Sequence, residues 1–390
     1  MKKEFLLIAA AAASMSLACL ISGCGRQDDT ASETVNIPFD RAERLSYGSL
    51  PEDFLGGLEY VTLRPEGQDY LFAEADKVIY RNGQLYIMDW ISRKIVSFKE
   101  DGQPGTVLHK RGRGPGEYLQ ISDFDVDKDG SIYILDGQRD MLLRYSPGCK
   151  FEESWELPFQ ASFISSREDG RFYFGLSPWD DSRYRKKKVL VTDRSLGAAS
   201  AFIGYDGLDD PDFSFPASGF VESAFGAVYH QPICDDAYLI GCGGVDSVYH
   251  FDFGARAVPD EVRKDIEGHL DELDGYETLV KWVNVYGRFI VGSIRRDGRF
   301  DDFIFDRQQE RIYIQDDTYR CISISGLSQD AIIFRIIDTG ESLPDFIPEN
   351  IRRSIAGGED VFAIAKFCTE KHTVFLRLMR LRRDAQAPGS

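Results

Sequence analysis

The chain has 390 residues, among them 27 Phe and 18 Tyr, and a formal net charge of −18 at pH 7. That acidic balance excludes a nucleic-acid binder, which needs a basic footprint on the phosphates, and it disfavours docking on an anionic membrane surface. Plentiful aromatics with little helix-type periodicity indicate an all-β architecture.

The N-terminus reads as a processing segment. Lys2 and Lys3 form a positive region, Phe5–Leu20 an apolar one, and Ile21-Ser22-Gly23-Cys24 places small residues before a cysteine. Residues 1–23 are therefore expected to be a lipoprotein signal peptide, cleaved so that Cys24 carries a diacylglyceryl thioether and residues 24–54 form a lipidated, flexible tether. The later cysteines are Cys149, Cys234, Cys242, Cys321 and Cys368. No CxxC occurs among them, so neither a redox motif nor a zinc ribbon is written here. Cys234 and Cys242 flank an expected strand and can be drawn as a disulfide, but small buried strand residues are the preferred reading.

Leu58–Leu63 alternates and is expected to be a strand that completes the last sheet of a ring; whether Val61–Leu63 or Thr373–Met379 takes that place stays open. Lys77–Lys150 then holds two copies of one pattern, with Tyr86 and Tyr133 at equivalent places 47 positions apart. Each copy has a β run, a Gly-containing turn, an apolar run closed by Asp89 or Asp136, a polar turn and a further β run. That period is the mark of a propeller blade. A third copy places Tyr173 likewise, with a second turn swollen by residues 177–188. Tyr238, Phe289 and Ile333 mark three more second strands, giving six blades. Between blades four and five, Val262, Ile266, Leu270, Leu273 and Val280 space out an amphipathic helix over Pro259–Lys281. The propeller is expected over residues 55–383, with a short tail at 384–390.

The signal Cys24, the phrase LYIMDWISRKIVSF (85–98), GRGPGEY (112–118) and ISDFDVDKDGSIYILD (121–136) resemble the six-bladed β-propeller lipoproteins of the Bacteroidetes, a family of undetermined function with NHL-repeat-like blades. The resemblance implies the fold and a place in the cell envelope, as an outer-membrane lipoprotein exposed at the surface. It implies no reaction. Blades three and four depart most from the pattern, so a site built there would be this chain's own.

Counting strands places Trp90, Lys110–Gln120 and the Trp179 insertion on one face, around the central channel, where a ligand is expected. Arg111 and Arg113 suit a carboxylate or sulfate, with Glu117 and Tyr118 orienting hydroxyls; the same letters also make a stiff inter-blade turn, which is preferred. Trp179 and Tyr184, beside Asp180, Asp181 and several cations, suit sugar stacking as well as a solvated loop. Trp90 reads as a second platform or, in preference, a plug between blades. Asp125, Asp127 and Asp129 mimic the opening of a Ca²⁺ loop, but a DKDG hairpin turn explains them without a metal. The histidines show no paired ligand spacing, and no cofactor is expected.

The resulting expectation is a lipid-anchored envelope protein with a non-catalytic binding or scaffold role and a glycan or glycan-derived ligand. The alternatives are a carbohydrate-active lyase or hydrolase at the channel mouth, and a protein-interaction subunit of an envelope complex contacting partners through the helix and Lys186–Lys188.

Overall fold

A computed structural model describes residues 33–50, 58–167, 169–197, 199–210, 213, 219–223, 226–241, 243–329 and 331–366. Cys24, Cys242, Cys368 and Thr373–Met379 lie outside them. The described residues form six sheets around one axis, a six-bladed β-propeller. No helix among them is long and apolar enough to cross a membrane.

After three N-terminal strands, β1 (Glu33–Ile37), β2 (Glu43–Ser46) and β3 (Glu59–Thr62), the blades follow in order. Blade one is β4–β7 (Lys77–Leu108), blade two β8–β11 (Asp123–Glu156) and blade three β12–β15 (Ala161–Gly204). Blade four is β16–β19 (Phe220–Phe251), blade five β20–β23 (Thr278–Ile314), and β24–β26 (Ile322–Lys366) begin blade six. In each blade the first strand is innermost and its neighbours pair antiparallel. The second strands are apolar on both sides because they sit between two strands and between two blades: Leu85, Tyr86 and Ile87 are all buried. In blade one the first hairpin turns at Asn82-Gly83, both at positive φ (52° and 71°), the type I′ geometry that matches strand twist.

Three aspartates tie the blades to their connections. Asp89 accepts from the Ala73 amide, Asp136 from Leu119 and Asp180 from Gln160, at 2.8, 2.8 and 2.9 Å. Each also receives donors from its own turn. Blade-to-blade contacts use buried carboxylates in the same way. Asp123 and Asp125 of β8 accept from the Ile164 and Ser166 amides of β12, and Asp302 of β22 accepts from the Ile324 amide of β24.

Asp302 makes the fold pH-dependent. Burial pushes its pKa from 3.8 up to about 7. The folded state therefore holds a proton that the unfolded chain releases, so this contribution to stability is fully present below about pH 4 and is lost as the pH rises through about 7. Urea unfolding across that window should show wild type losing stability relative to Asp302→Asn, which keeps an acceptor without the charge. Parallel curves for the two proteins would contradict this.

Ring closure is N-terminal. β3 is the outermost strand of blade six, antiparallel to β26 (Val361–Lys366) with Val61 opposite Phe362. Residues 33–50, expected as tether, prove to belong to the propeller. β1 pairs in parallel with β19, and β2 in parallel with β23, covering the outer edges of blades four and five. Bare edges leave unpaired N–H and C=O groups, and these two short strands satisfy them. Between them Phe39 is fully buried against Phe251, Phe253 and Phe303, with ring centroids 6.0, 5.0 and 5.2 Å away. Arg44 then holds the buried Glu277 with two bonds of 2.8 and 2.7 Å.

Two further differences concern local structure. Tyr238 lies on the third strand of blade four, not the second, which is β17 (Gly226–His230). A Cβ on Gly226 would stand 2.3 Å from the Ile240 carbonyl, so close strand packing demands a small residue where other blades show large ones. The insertion at 259–281 is not one helix but α1 (Asp260–Lys264) and a 3-10 segment (Glu267–Gly275), parted by Asp265 at φ −146°, ψ 72°. Val262, Ile266 and Leu273 bury against Ile233 and Val258, whereas Val280 already belongs to β20 (Thr278–Tyr286). A second helix, α2 (Glu349–Ala356), seats Ile351 and Ile355 on blade six.

Candidate functional site

Antiparallel strands put the loops between blades, and those between second and third strands, on one face. The central channel opening there is nearly closed. The inner strands leave a cavity of about 50 Å³, room for little more than water. Lys77 bonds Asp123 at 2.7 Å, Arg81 and Arg167 both hold Glu222, and Trp282 fills the space beside them.

Off the axis, on the same face, the long connections of blades three and four enclose a cleft of about 410 Å³. Its walls come from Pro178 of the turn after β13, residues 204–210 and Phe213 of the next connection, the Gln231–Asp235 loop and α1. Its floor is Tyr229, near the top of β17, 4% exposed. The Tyr229 hydroxyl takes no hydrogen bond among the described residues. Burial first, and then the electrostatics of Tyr205, Cys234, Asp209 and Tyr238, hold its pKa well above the ordinary phenol value.

Paired charges ring this floor. Lys188 and Asp209, both almost wholly buried, meet at 2.6 Å. Arg263 of α1 bonds Asp235 Oδ2 and the Val258 carbonyl. His250 at the end of β19 donates from Nδ1 to Asp236 Oδ1 at 2.8 Å, while the Tyr238 hydroxyl lies 3.4 Å from the other oxygen of Asp236. A carboxylate only accepts, which assigns the Nδ1 proton. Burial pushes the Cys234 thiol up to about 11, so it is a neutral thiol and not a nucleophile.

None of the ligand-binding or metal candidates expected from sequence lines this cleft. Tyr118 is fully buried and bonds the Arg93 carbonyl at 2.9 Å, Glu117 folds back onto the Gly114 amide at 2.7 Å, and Gly116 takes φ +70° against Phe151. The phrase is thus a built turn that leaves Arg111 and Arg113 exposed on its surface. Trp90 is half exposed beside Ile91 and is no plug between blades. Trp179 is likewise exposed, and Tyr184 packs on Phe159 with Arg183 over its ring. Lys186 is exposed as expected, but Lys188 turns inward. Asp125, Asp127 and Asp129 diverge to the Ser166 amide, Arg194 and the Ser131 amide. Among the described residues no group of three His, Cys, Asp or Glu side chains could hold a metal ion. The readable signal for the cleft was the departure of blades three and four from the blade pattern, through Gly204–Gly219 and Gln231–Asp236.

A protein of Bacteroides fragilis NCTC 9343 that carries the designation of an exported protein shares the fold, with a TM-score of 0.66, 16% identity, 85% of this chain covered and 99% of that one. A DUF4221-family protein of Bacteroides vulgatus matches with a TM-score of 0.48 and 11% identity over 79% of this chain and 97% of that one. A gluconolactonase of Xanthomonas campestris matches at 0.44 and 11% over 89% and 99%. No curated protein sequence matches the chain. The model of the family described as "6-bladed beta-propeller" matches residues 28–282, more than half of the chain. The chain belongs to that six-bladed β-propeller family.

Proposed function

We propose that this chain is a lipid-anchored binding protein of the cell envelope whose ligand, a glycan or glycan-derived molecule, occupies the cleft between blades three and four. The observation that carries the reading is the Tyr229 hydroxyl, enclosed by the cleft and without a partner. A hydroxylated ligand lying over the floor can exchange hydrogen bonds with this hydroxyl, which both gives and accepts. Tyr205 and Tyr238 supply ring surface beside it, and the carboxylates of the rim accept from sugar hydroxyls.

The lipobox at Cys24 supports the anchor. β1 runs parallel to β19, which climbs toward the cleft face, so the chain enters from the opposite face. Residues 25–32 span at most ~30 Å, which holds that opposite face toward the bilayer and presents the cleft outward.

Tyr229→Phe removes one oxygen and leaves the packing. It should weaken sugar binding by about 1 kcal/mol, roughly five- to tenfold, with an unchanged melting temperature. Titration calorimetry on the chain beginning at Gly25 reads both arms; equal affinity in the two proteins would remove Tyr229 from the site.

The line Tyr238–Asp236–His250 favours a second reading, a carbohydrate-active lyase or hydrolase with the half-exposed imidazole as general base. Turnover of an oligosaccharide, abolished in His250→Asn, would establish it; binding without product would exclude it.

A further inference from the structure

We infer that a second surface, at the junction of blades one and two on the same face as the cleft, docks an acidic segment of a partner protein that also carries large apolar side chains. This surface shares no residue with the cleft, and neither reading depends on the other.

Apolar exposure is the first observation. Trp90, Ile91 and Leu71 are 50%, 68% and 53% exposed. The fold brings them together. Lys94 donates to the Asp69 carbonyl at 2.9 Å and Asp89 accepts from the Ala73 amide, which holds Leu71 against the turn that carries Trp90 and Ile91. The backbone of that turn is fixed by other groups, since Asp76 takes the Trp90 amide and the Arg93 carbonyl accepts from the Tyr118 hydroxyl. Its exposed side chains are therefore not needed to shape it. Apolar residues scattered singly over a surface are ordinary, whereas a group of them marks a contact.

Charge is the second observation, and it is independent. Arg93, Arg111, Arg113 and Arg139 gather around the 111–119 turn, which abuts the Trp90 turn. Arg93 donates to the Leu119 carbonyl at 3.3 Å and Arg139 to the Glu117 carbonyl at 2.8 Å, while Arg111 and Arg113 are exposed. None of the four meets a carboxylate among the described residues. Yet the chain holds 64 Asp and Glu against 46 Lys and Arg, and arginines elsewhere are held by carboxylates, as Arg44, Arg194 and Arg263 are. Acids stand on the other side of the apolar group, where Asp76 is taken by the Trp90 amide and Glu74 meets Arg335 at 3.5 Å. A partner's carboxylates are thus drawn to the blade-two side, where guanidinium groups can bind them in a fork. Tryptophan beside arginine is the composition of the strongest protein–protein contacts. The aliphatic Ile91 and Leu71 offer a sugar no ring to stack on, which favours a polypeptide over an acidic polysaccharide.

A phage-displayed library of random dodecapeptides, panned on the chain beginning at Gly25 and depleted on the Trp90→Ser, Arg113→Glu double variant, tests this. The enriched peptides should pair Asp or Glu with Trp, Phe or Leu. A synthetic copy of one should bind wild type at least ~10-fold more tightly than either single variant, and its affinity should fall as NaCl rises from about 50 to about 500 mM. Both substituted side chains are exposed, so the melting temperatures should stay at the wild-type value and the loss is one of contact. Three results would overturn the inference. One is a panning that enriches nothing over the double variant, or only peptides without acids. Another is chondroitin sulfate binding that Arg113→Glu abolishes and Trp90→Ser leaves intact, which would give the surface to a polysaccharide. The third is a dimer in sedimentation that Ile91→Asp disperses, which would give it to a second copy of this chain.

Discussion

Phe39→Ala is expected to lower the stability of the chain by about 3–5 kcal/mol, the usual cost of emptying a phenylalanine site in a packed core. The ring is fully buried among Phe251, Phe253, Phe303 and Phe305, residues contributed by blades four and five. Phe39 lies between β1 and β2, so truncating it also loosens both added strands and the Arg44–Glu277 pair that follows. The guanidinium of Arg44 sits 5.4 Å from the Phe39 ring centroid and loses that support too. A urea titration read by tyrosine and tryptophan fluorescence measures the change. A residue of a flexible tether would cost within about 0.5 kcal/mol when substituted, and a result that small would show that the N-terminal segment is not docked in solution.

Lys77→Met is expected to cost about 3–5 kcal/mol at neutral pH, because it strands a buried carboxylate without its counter-charge. Asp123 is almost wholly buried at the wall of the closed channel, and its other oxygen accepts from the Ile164 amide of the next blade. Burial pushes the Asp123 pKa up, and Lys77 at 2.7 Å pulls it back. Without the ammonium the pKa rises further, and the folded state takes up a proton rather than keep a naked charge. The loss should therefore shrink as the pH falls toward the unfolded carboxyl value near 4. Replacing both residues, Lys77→Met with Asp123→Asn, should recover much of the stability, since a neutral pair leaves no charge to desolvate. A single-variant cost that is small and independent of pH would mean that water reaches Asp123 and the channel is open.

Much of the ring can be read from local letters. The strand pattern around Tyr86 and Tyr133 repeats because every second strand faces the same two neighbours, and the Asn82-Gly83 and Asp129-Gly130 turns announce hairpins by backbone chemistry alone. Asp89 and Asp136 close their strands in sequence and cap the following turns in space. Where packing overrode the pattern, the reading slipped. Gly226 on β17 is small because β18 (Asp236–Gly241) approaches too closely for a side chain, so the large Tyr238 of the third strand stands out in the sequence in its place. The helix over 259–281 had apolar spacing for a single element, but the chain breaks at Asp265 so that Arg263 and Ile266 can face the cleft.

By itself, the sequence determined the all-β class, the six-fold repeat, the face that carries the long loops and the turn role of Gly112–Tyr118. These are consequences of period-two burial and of turn geometry, which act between residues close in the chain. Only the tertiary structure decided that residues 33–46 seal two blade edges, that the channel is filled by ion pairs, and that the cleft lies off the axis. Ile37 meets Phe251, and Arg44 meets Glu277, across more than two hundred residues. Backbone pairing along an edge imposes no side-chain pattern that a four- or five-residue strand must display. The same distance hid the cleft, whose Tyr205, Tyr229, Asp236 and His250 come from separate strands and connections and acquire their chemistry only when burial brings them together.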